Sequence, residues 1–228
     1  MQRLLVVLVC LAAFATACTD DQVFLDRGPI GPARYRVEVK AEGPVAEIIL
    51  SREASLRVDP RPDGAALTLR PKSEGAKIIN ADIRLLGDGS VQLNRIRGAS
   101  VAGSGQTDLA SLAGQLNPPL PSERVRIGEE WSSTQRITTQ TLRASLRTRL
   151  HIVRFTRISE VDAAEFEGPV SGRLSTTGAS GTFEGRLSGR TRIVWAVEAG
   201  RVMSADTSLV WTLSSGDRVT LKTVVTPE

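Results

Sequence analysis

The sequence predicts a mostly β protein, α+β at most: a curved antiparallel sheet, a half-barrel or open barrel, with one or two short helices. Apolar and polar residues alternate with a period of two along many segments, which is typical of half-buried strands. Short turns rich in Gly, Pro, Asp and Ser separate those segments. Helical patterns are too few to cover a parallel sheet, so we expect the strands to be antiparallel neighbours.

The first half of the chain predicts five strands and one helix. The strand segments are residues 35–40, 45–58, 65–70, 76–86 and 91–97. A Gly/Ser-rich connection follows, and then Thr107 or Asp108 can cap a short helix that has Leu109, Leu112 and Leu116 on one face. The sequence Asn117-Pro118-Pro119 should end this helix.

The second half predicts a long antiparallel meander. Its strand segments are residues 131–158 (one or two strands), 166–174, 187–197, 201–213 and 219–225. In segment 201–213 one face carries mainly apolar residues and the other Ser204, Asp206 and Ser208. The apolar face comprises Met203, Ala205, Thr207, Leu209, Trp211 and Leu213. Such a one-sided pattern indicates a sheet with one face against a core and one in water.

The N-terminus has the layout of a secretory leader. Arg3 precedes an apolar run that is shorter than the roughly 20 residues of a membrane-spanning helix. Small residues ending in Ala17 then lead to Cys18, which resembles a bacterial lipobox. We expect a signal peptide over residues 1–17, cleavage after Ala17, and lipid attachment at Cys18. The alternative is a soluble secreted protein, cleaved at the same bond, with a free Cys18 thiol.

The rest of the chain is predicted to have a simple organisation. Residues 18–33 read as a tether with two Gly-Pro pairs. Residues 34–228 form one β-rich domain whose two halves join near 98–121. Cys10 is lost with the leader, so the mature chain has no intramolecular disulfide.

Composition favours an anionic partner other than nucleic acid. The net charge is +4 and the pI is about 9.6, a basic balance that in a cytosolic chain would suggest nucleic acid. Export and an aromatic content of 4% argue against base stacking. Anionic headgroups or cell-wall polymers are the better candidates.

The sequence predicts no enzyme, no metal site and no cofactor. His151 is the single histidine, and no Gly-x-Ser-x-Gly elbow is present. One histidine and one lipidated cysteine cannot supply a zinc site. Gly103-Ser104-Gly105 has no following Lys-Ser or Lys-Thr, so a phosphate-binding loop is not supported.

One constellation of arginines is a candidate binding face. Arg143, Arg147 and Arg149 share one face of a predicted strand, and Arg190 and Arg192 share the outward face of a later strand. If these strands adjoin, the five side chains form a basic stripe for an anionic membrane, protein or polymer. The alternative is a solvated strand face balanced by acids on neighbouring strands.

Part of the second half resembles a known family. The residues Leu120-Pro121, Val125, Gly128 and Trp131 are similar to a Leu-Pro…Val-x-x-Gly-x-x-Trp signature in a family of uncharacterised bacterial envelope lipoproteins. Residues 188–195 and Gly200-Arg201-Val202 are similar to that family's closing hairpin. A curved sheet with a small helical plug is also similar in architecture to periplasmic lipoprotein and lipid carriers.

The resemblance and the leader together lead to one functional expectation. We expect a non-enzymatic lipoprotein anchored in the cell membrane or an outer membrane, facing the periplasm or the exterior. Its curved sheet would hold an apolar ligand such as a lipid or acyl chain. The alternative is a structural or interaction module that binds a protein or anionic cell-wall partner through the arginine face.

Overall fold

The fold is a closed β-barrel in which every pair of neighbouring strands but one is antiparallel. The computed structural model describes residues 22–26, 32–43, 50–72, 77–85, 90–98, 112–139, 141–178 and 181–228. In these ranges the strands are β1 (Ala33–Glu42), β2 (Leu50–Arg61), β3 (Gly64–Pro71), β4 (Ile79–Leu85), β5 (Val91–Arg97), β6 (Glu130–Thr138), β7 (Leu142–Ile158), β8 (Val161–Gly178), β9 (Gly181–Ala196), β10 (Arg201–Leu213) and β11 (Arg218–Pro227). A described helix, α1, covers residues 112–116. The predicted mostly β class is confirmed.

Each strand lies beside its neighbours in sequence, and β1 closes the ring by pairing with both β2 and β11. The curvature therefore goes further than the predicted half-barrel or open barrel. Closure pairs most of the strand edges among the described residues, which is the usual physical reason for a long meander to curl on itself.

The alternation of residues sets the polarity of the wall. On β1, Tyr35, Val37 and Val39 are buried, whereas Arg36 and Lys40 are exposed. The other strands follow the same rule, and their buried side chains form one continuous apolar core. Trp195, Phe166 and Leu150 are among its largest fully buried members. Burial of each such side chain contributes about 1.5–3 kcal/mol, so the interior supplies most of the stability.

Glycines on β8 and β9 permit the tight curvature of the wall. A Cβ on Gly168 would lie 1.8 Å from the carbonyl oxygen of Arg149 on β7. A Cβ on Gly189 would lie 2.0 Å from the carbonyl oxygen of Ser208 on β10. No side chain fits at those distances, so glycine is required for the neighbouring strands to approach as they do.

The barrel is joined least extensively between β5 and β6. The two strands are parallel and share the register pairs Val91↔Ile137 and Gln92↔Thr138, whereas the other neighbouring strands pair antiparallel over longer stretches. Residues 112–120, here called the plug segment, lie beside this seam and are mostly buried. Helix α1 ends at Leu116, before the predicted stop at Asn117-Pro118-Pro119; its predicted start lies outside the described residues.

Part of the predicted tether lies against the barrel. Val23 forms an isolated antiparallel bridge with Val125, with hydrogen bonds of 2.8 and 2.9 Å between their backbone groups. Leu25 is 2% exposed and belongs to the core, whereas Phe24 is 47% exposed. Residues 22–26 are thus held beside Val125, which precedes β6, by both backbone pairing and apolar burial.

Tyr35 gives the barrel a pH-dependent contact. Its hydroxyl donates a hydrogen bond of 2.8 Å to the carbonyl oxygen of Val202. Burial raises the pKa of the phenol above its ordinary value of 10.0, and the nearby Arg201 charge opposes that rise. Because the folded protein disfavours phenolate, this contribution to stability is complete below about pH 10 and is lost as the pH rises through the higher folded-state pKa.

We therefore expect Tyr35→Phe to lower the free energy of unfolding by about 1 kcal/mol at neutral pH, through loss of one buried hydrogen bond. Above about pH 10 the difference in unfolding free energy between the wild type and the variant should shrink. Urea unfolding monitored by tryptophan fluorescence from about pH 8 to about pH 11 measures both effects. A difference between the proteins that stays constant over that range would contradict the assigned role of burial.

Candidate functional site

A cavity lies inside the barrel, between the plug segment and the inner faces of β6 to β11. Its volume is about 100 Å³. Most of its wall is aliphatic, including Ile137, Leu146, Leu150, Leu187, Leu209 and Leu221. The described lining residues include no Asp, Glu, Lys, Arg or His. The cavity thus suits an apolar group and offers no counter-ion to a charged one.

Two polar side chains in the wall have unsatisfied hydrogen-bonding groups. Both side-chain polar atoms of Gln115 and the hydroxyl of Thr148 are buried and have no hydrogen-bond partner among the described residues. Both residues line the cavity and are less than a tenth exposed. By contrast, the hydroxyls of Thr191 and Thr207, in the same wall, hydrogen-bond each other at 2.8 Å.

Leaving a polar group buried without a partner costs roughly 1–3 kcal/mol. A molecule that brought an uncharged hydrogen-bonding group to Gln115 and Thr148 would remove that cost. Gln115 can donate and accept, and the Thr148 hydroxyl can do either, so an ester, amide or hydroxyl fits either side chain. The cavity therefore combines a mostly apolar wall with uncharged polar groups that have no partner among the described residues.

The plug segment holds Gln115 in place through its contacts with β6. The amide nitrogen of Gln135 donates to the carbonyl oxygen of Asn117 at 2.7 Å, and Nε1 of Trp131 donates to that of Pro119 at 2.9 Å. A Cβ on Gly114 would lie 2.8 Å from Cδ1 of Ile137, so glycine allows the helix this close to the strand. Trp131 also packs edge-on against Phe166, with ring centroids 5.5 Å apart.

The residues that resemble the family signature have structural roles. Trp131 supports the plug, Val125 holds the N-terminal segment, and Gly128 adopts a φ of 80°. A left-handed conformation of this kind favours glycine. The sequence could show that these residues anchor a turn, but it could not show that the turn positions a cavity wall.

The five arginines predicted as one face separate into two groups. Arg143, Arg147 and Arg149 are exposed on the outer face of β7 and form no ion pair among the described residues. Arg190 and Arg192 are exposed on β9, with β8 between the two strands.

Acids on β8 neutralise the second group. Arg190 lies 3.3 Å from a carboxylate oxygen of Glu167. Arg192 is paired with Glu165, whose other oxygen accepts a hydrogen bond from Nε of Arg154 at 2.8 Å. Glu165 is almost fully buried beneath these two arginines. For Arg190 and Arg192, the alternative of a charge-balanced strand face is the correct description.

Other arginines join the β7 group. Ser145 lies opposite Arg136 on β6 and Arg173 on β8, and Arg173 lies opposite Arg186 on β9. With Arg143 these side chains line an outer-surface groove of about 620 Å³. Arg186 and Arg190 are an even number of residues apart on one strand, so the alternation of side chains places Arg186 on the outward face from sequence alone. Arg173 could be added only from the strand register, which the sequence did not give.

Ala17 and Cys18 lie outside the described residues. His151 is on the outer face of β7, opposite Glu130 and Glu167. The described residues contain no cluster of three or more His, Cys, Asp or Glu side chains able to hold a metal ion. Within the same ranges, no helix has the length and apolarity needed to cross a membrane.

Comparison with protein-family models, with curated proteins and with solved structures finds no match to this chain. The cavity and the outer arginines are therefore the features of the structure that bear on function.

Proposed function

We propose that this chain is a lipid-anchored lipoprotein of the cell envelope, not an enzyme, and that its barrel binds an uncharged lipid or acyl group. The anchor would be attached at Cys18, in the cell membrane or an outer membrane, with the barrel facing the periplasm or the exterior. The observation that carries the binding proposal is the apolar cavity with the unpartnered Gln115 and Thr148.

The cavity chemistry supports a neutral ligand over a free fatty acid or a phosphate. A carboxylate placed among the described lining residues would meet no cation, and burial of an unpaired ion is strongly unfavourable. An ester or amide with an attached hydrocarbon chain can instead hydrogen-bond Gln115 and bury its chain against the leucines. Native mass spectrometry of the full chain should show such a molecule, released on denaturation.

The size of the cavity constrains how a ligand enters. Drug-sized ligands usually occupy about 300–1,000 Å³, and this cavity has about 100 Å³. In its present form it has room for a short hydrocarbon segment only. A longer acyl chain would have to displace part of the plug segment, whose hydrogen bonds to β6 involve Asn117 and Pro119.

Substitution of one hydroxyl gives a sharp test. Thr148→Val removes a hydroxyl without a described partner, so we expect the ligand-free protein to gain about 1 kcal/mol in stability. The same change should weaken ligand retention about tenfold, because one hydrogen bond to the ligand is lost. Urea unfolding and displacement of a fluorescent acyl ester measure the two quantities.

Thr191→Val is the matched control. Its hydroxyl also belongs to the cavity wall but already hydrogen-bonds Thr207, so this variant should be destabilised rather than stabilised. If both variants lose stability and both retain the acyl ester as the wild type does, the cavity is only a packing defect. A full chain that carries no lipid and takes up no acyl ester would also refute the proposal.

A further inference from the structure

We propose that the outer groove formed by Arg136, Arg143, Arg173 and Arg186, here called the basic groove, binds a linear polymer that bears phosphate groups. This site is on the outside of the barrel, on β6 to β9, and its charged lining is distinct from the interior cavity, with which it shares only Ala144 and Leu174 among the described lining residues. It goes beyond the proposed function and does not rest on the lipid anchor or on the apolar ligand.

The electrostatics of the groove differ from those of the neighbouring surface. Among its described lining residues four arginines face one acid, Glu184, which gives a net charge of +3. Glu184 hydrogen-bonds the hydroxyl of Ser175 at 3.3 Å and forms no ion pair among the described residues. Arg143, Arg173 and Arg186 likewise have no acidic partner in the described ranges. Their positive charge is available to a ligand.

Strand register explains why Arg143, Arg173 and Arg186 have no acidic partner among the described residues. Reading across β6, β7, β8 and β9, the three successive outer rows are Thr138-Arg143-Ser175-Glu184, Arg136-Ser145-Arg173-Arg186 and Thr134-Arg147-Ser171-Ser188. Serine and threonine take the positions next to the arginines where an acid could have neutralised them. Two rows further along, Glu167 pairs with Arg190 instead. The same sheet therefore has a neutralised end and a basic end.

Arginine and serine together suit phosphate. A guanidinium group can bind two phosphate oxygens through parallel hydrogen bonds. The Ser145 hydroxyl lines the same groove and can donate to a further oxygen, whereas the hydroxyls of Ser175 and Ser214 already donate to Glu184. This lining recognises a phosphate group through hydrogen bonds as well as through its charge.

The length of the basic surface indicates a polymer. Arg147 and Arg149 continue along the outer face of β7 from Arg143. Six residues of strand span about 20 Å, since each advances about 3.3 Å. A single phosphate would contact only one end of this surface, whereas an extended polyanion could follow it.

The absence of apolar anchors near the groove favours a dissolved polymer over a bilayer. Membrane-binding surfaces usually combine basic residues with inserted Trp, Phe or Leu side chains. Among the described residues the exposed large apolar side chains are Phe24, Ile78, Ile127 and Ile158, and none lines the basic groove. The groove is also recessed, which suits a strand of polymer better than a flat surface.

The test compares binding of linear polyphosphate to the full chain, its Arg143→Gln/Arg173→Gln/Arg186→Gln variant and a charge-matched control. The control is Arg36→Gln/Arg70→Gln/Arg84→Gln, three exposed arginines on β1, β3 and β4 that form no ion pair among the described residues. Circular dichroism should show that all three proteins fold alike.

The groove variant should bind polyphosphate at least about 100-fold more weakly, since three charge-assisted contacts are lost, and the control should bind within about threefold of wild type. Wild-type affinity should fall steeply with salt. Equal weakening of both variants would show general attraction to net charge and overturn the site. If orthophosphate competes as well as polyphosphate does, the site recognises single phosphate groups and the proposal of a polymer is wrong. If the arginines are needed for binding to phosphatidylglycerol vesicles but the protein does not bind polyphosphate, the partner is a membrane and the proposal is also wrong.

Discussion

Gly168→Ala is expected to lower the free energy of unfolding by about 3 kcal/mol or more, because the added methyl group would meet the backbone of β7. The distance from that Cβ to the carbonyl oxygen of Arg149 would be 1.8 Å. A flexible side chain could move away, but a strand in a closed barrel cannot shift without breaking hydrogen bonds to its neighbours. Urea unfolding followed by tryptophan fluorescence would measure the loss.

Two controls separate this clash from other effects of substitution. Ser188→Ala alters an exposed outer side chain on the adjacent strand and should change stability by less than about 0.5 kcal/mol. Gly181→Ala has no atom within 4 Å of its added Cβ but a φ of 122°, so it should lose only about 1–2 kcal/mol through backbone strain. If Gly168→Ala were no worse than Ser188→Ala, β7 and β8 would have to be further apart than described.

Sequence reasoning succeeded where a local pattern determines the structure. The period-two alternation predicted segments 91–97 and 201–213, which coincide with β5 and β10. It also placed Arg143, Arg147 and Arg149 on one exposed face of β7. Both results depend only on the residues within one strand, since successive side chains point to opposite faces.

The sequence failed where a bulge changes the alternation. Met203 was predicted on the inner face of β10, but it is half-buried, and Val202 is buried at 2% exposure instead. The register between β9 and β10 shifts between Val202 and Ser204, so the residues before the bulge are displaced by one position. A bulge arises from pairing with a second strand, and the alternation within one strand does not reveal it.

The candidate sites depend even more than the bulge does on which residues of neighbouring strands lie opposite each other. The sequence could name Arg173, Glu165 and Gln115, but not the side chains opposite them. The strand register places Arg173 between Ser145 and Arg186, and it places Arg192 two positions along from the residue opposite Glu165. The cavity depends on how the plug segment packs against β6, and the sequence pattern of neither segment shows that contact. The composition of both candidate sites is therefore determined by which strands are neighbours and by their register.

Glu165→Gln is expected to destabilise the protein by about 2 kcal/mol, the second large effect after the glycine. The side chain of Glu165 is 3% exposed, and Arg154 and Arg192 each bind one of its oxygens. Removal of the negative charge leaves both arginines without their acid. Their side chains are more than half exposed and can be hydrated by water, so the loss should be smaller than for a fully buried ion pair.

Glu167→Gln is a closely matched control on the same strand and the same face. Its carboxylate is 31% exposed and lies 3.3 Å from one exposed arginine, Arg190, so the expected loss is below about 0.5 kcal/mol. Added salt should reduce the Glu167 effect further and leave most of the Glu165 effect, because solvent ions screen buried charges less. Equal losses in the two variants, both removed by salt, would mean that Glu165 is an ordinary surface acid. Arg190 and Arg192 would then belong to the same solvated surface as the arginines of the basic groove.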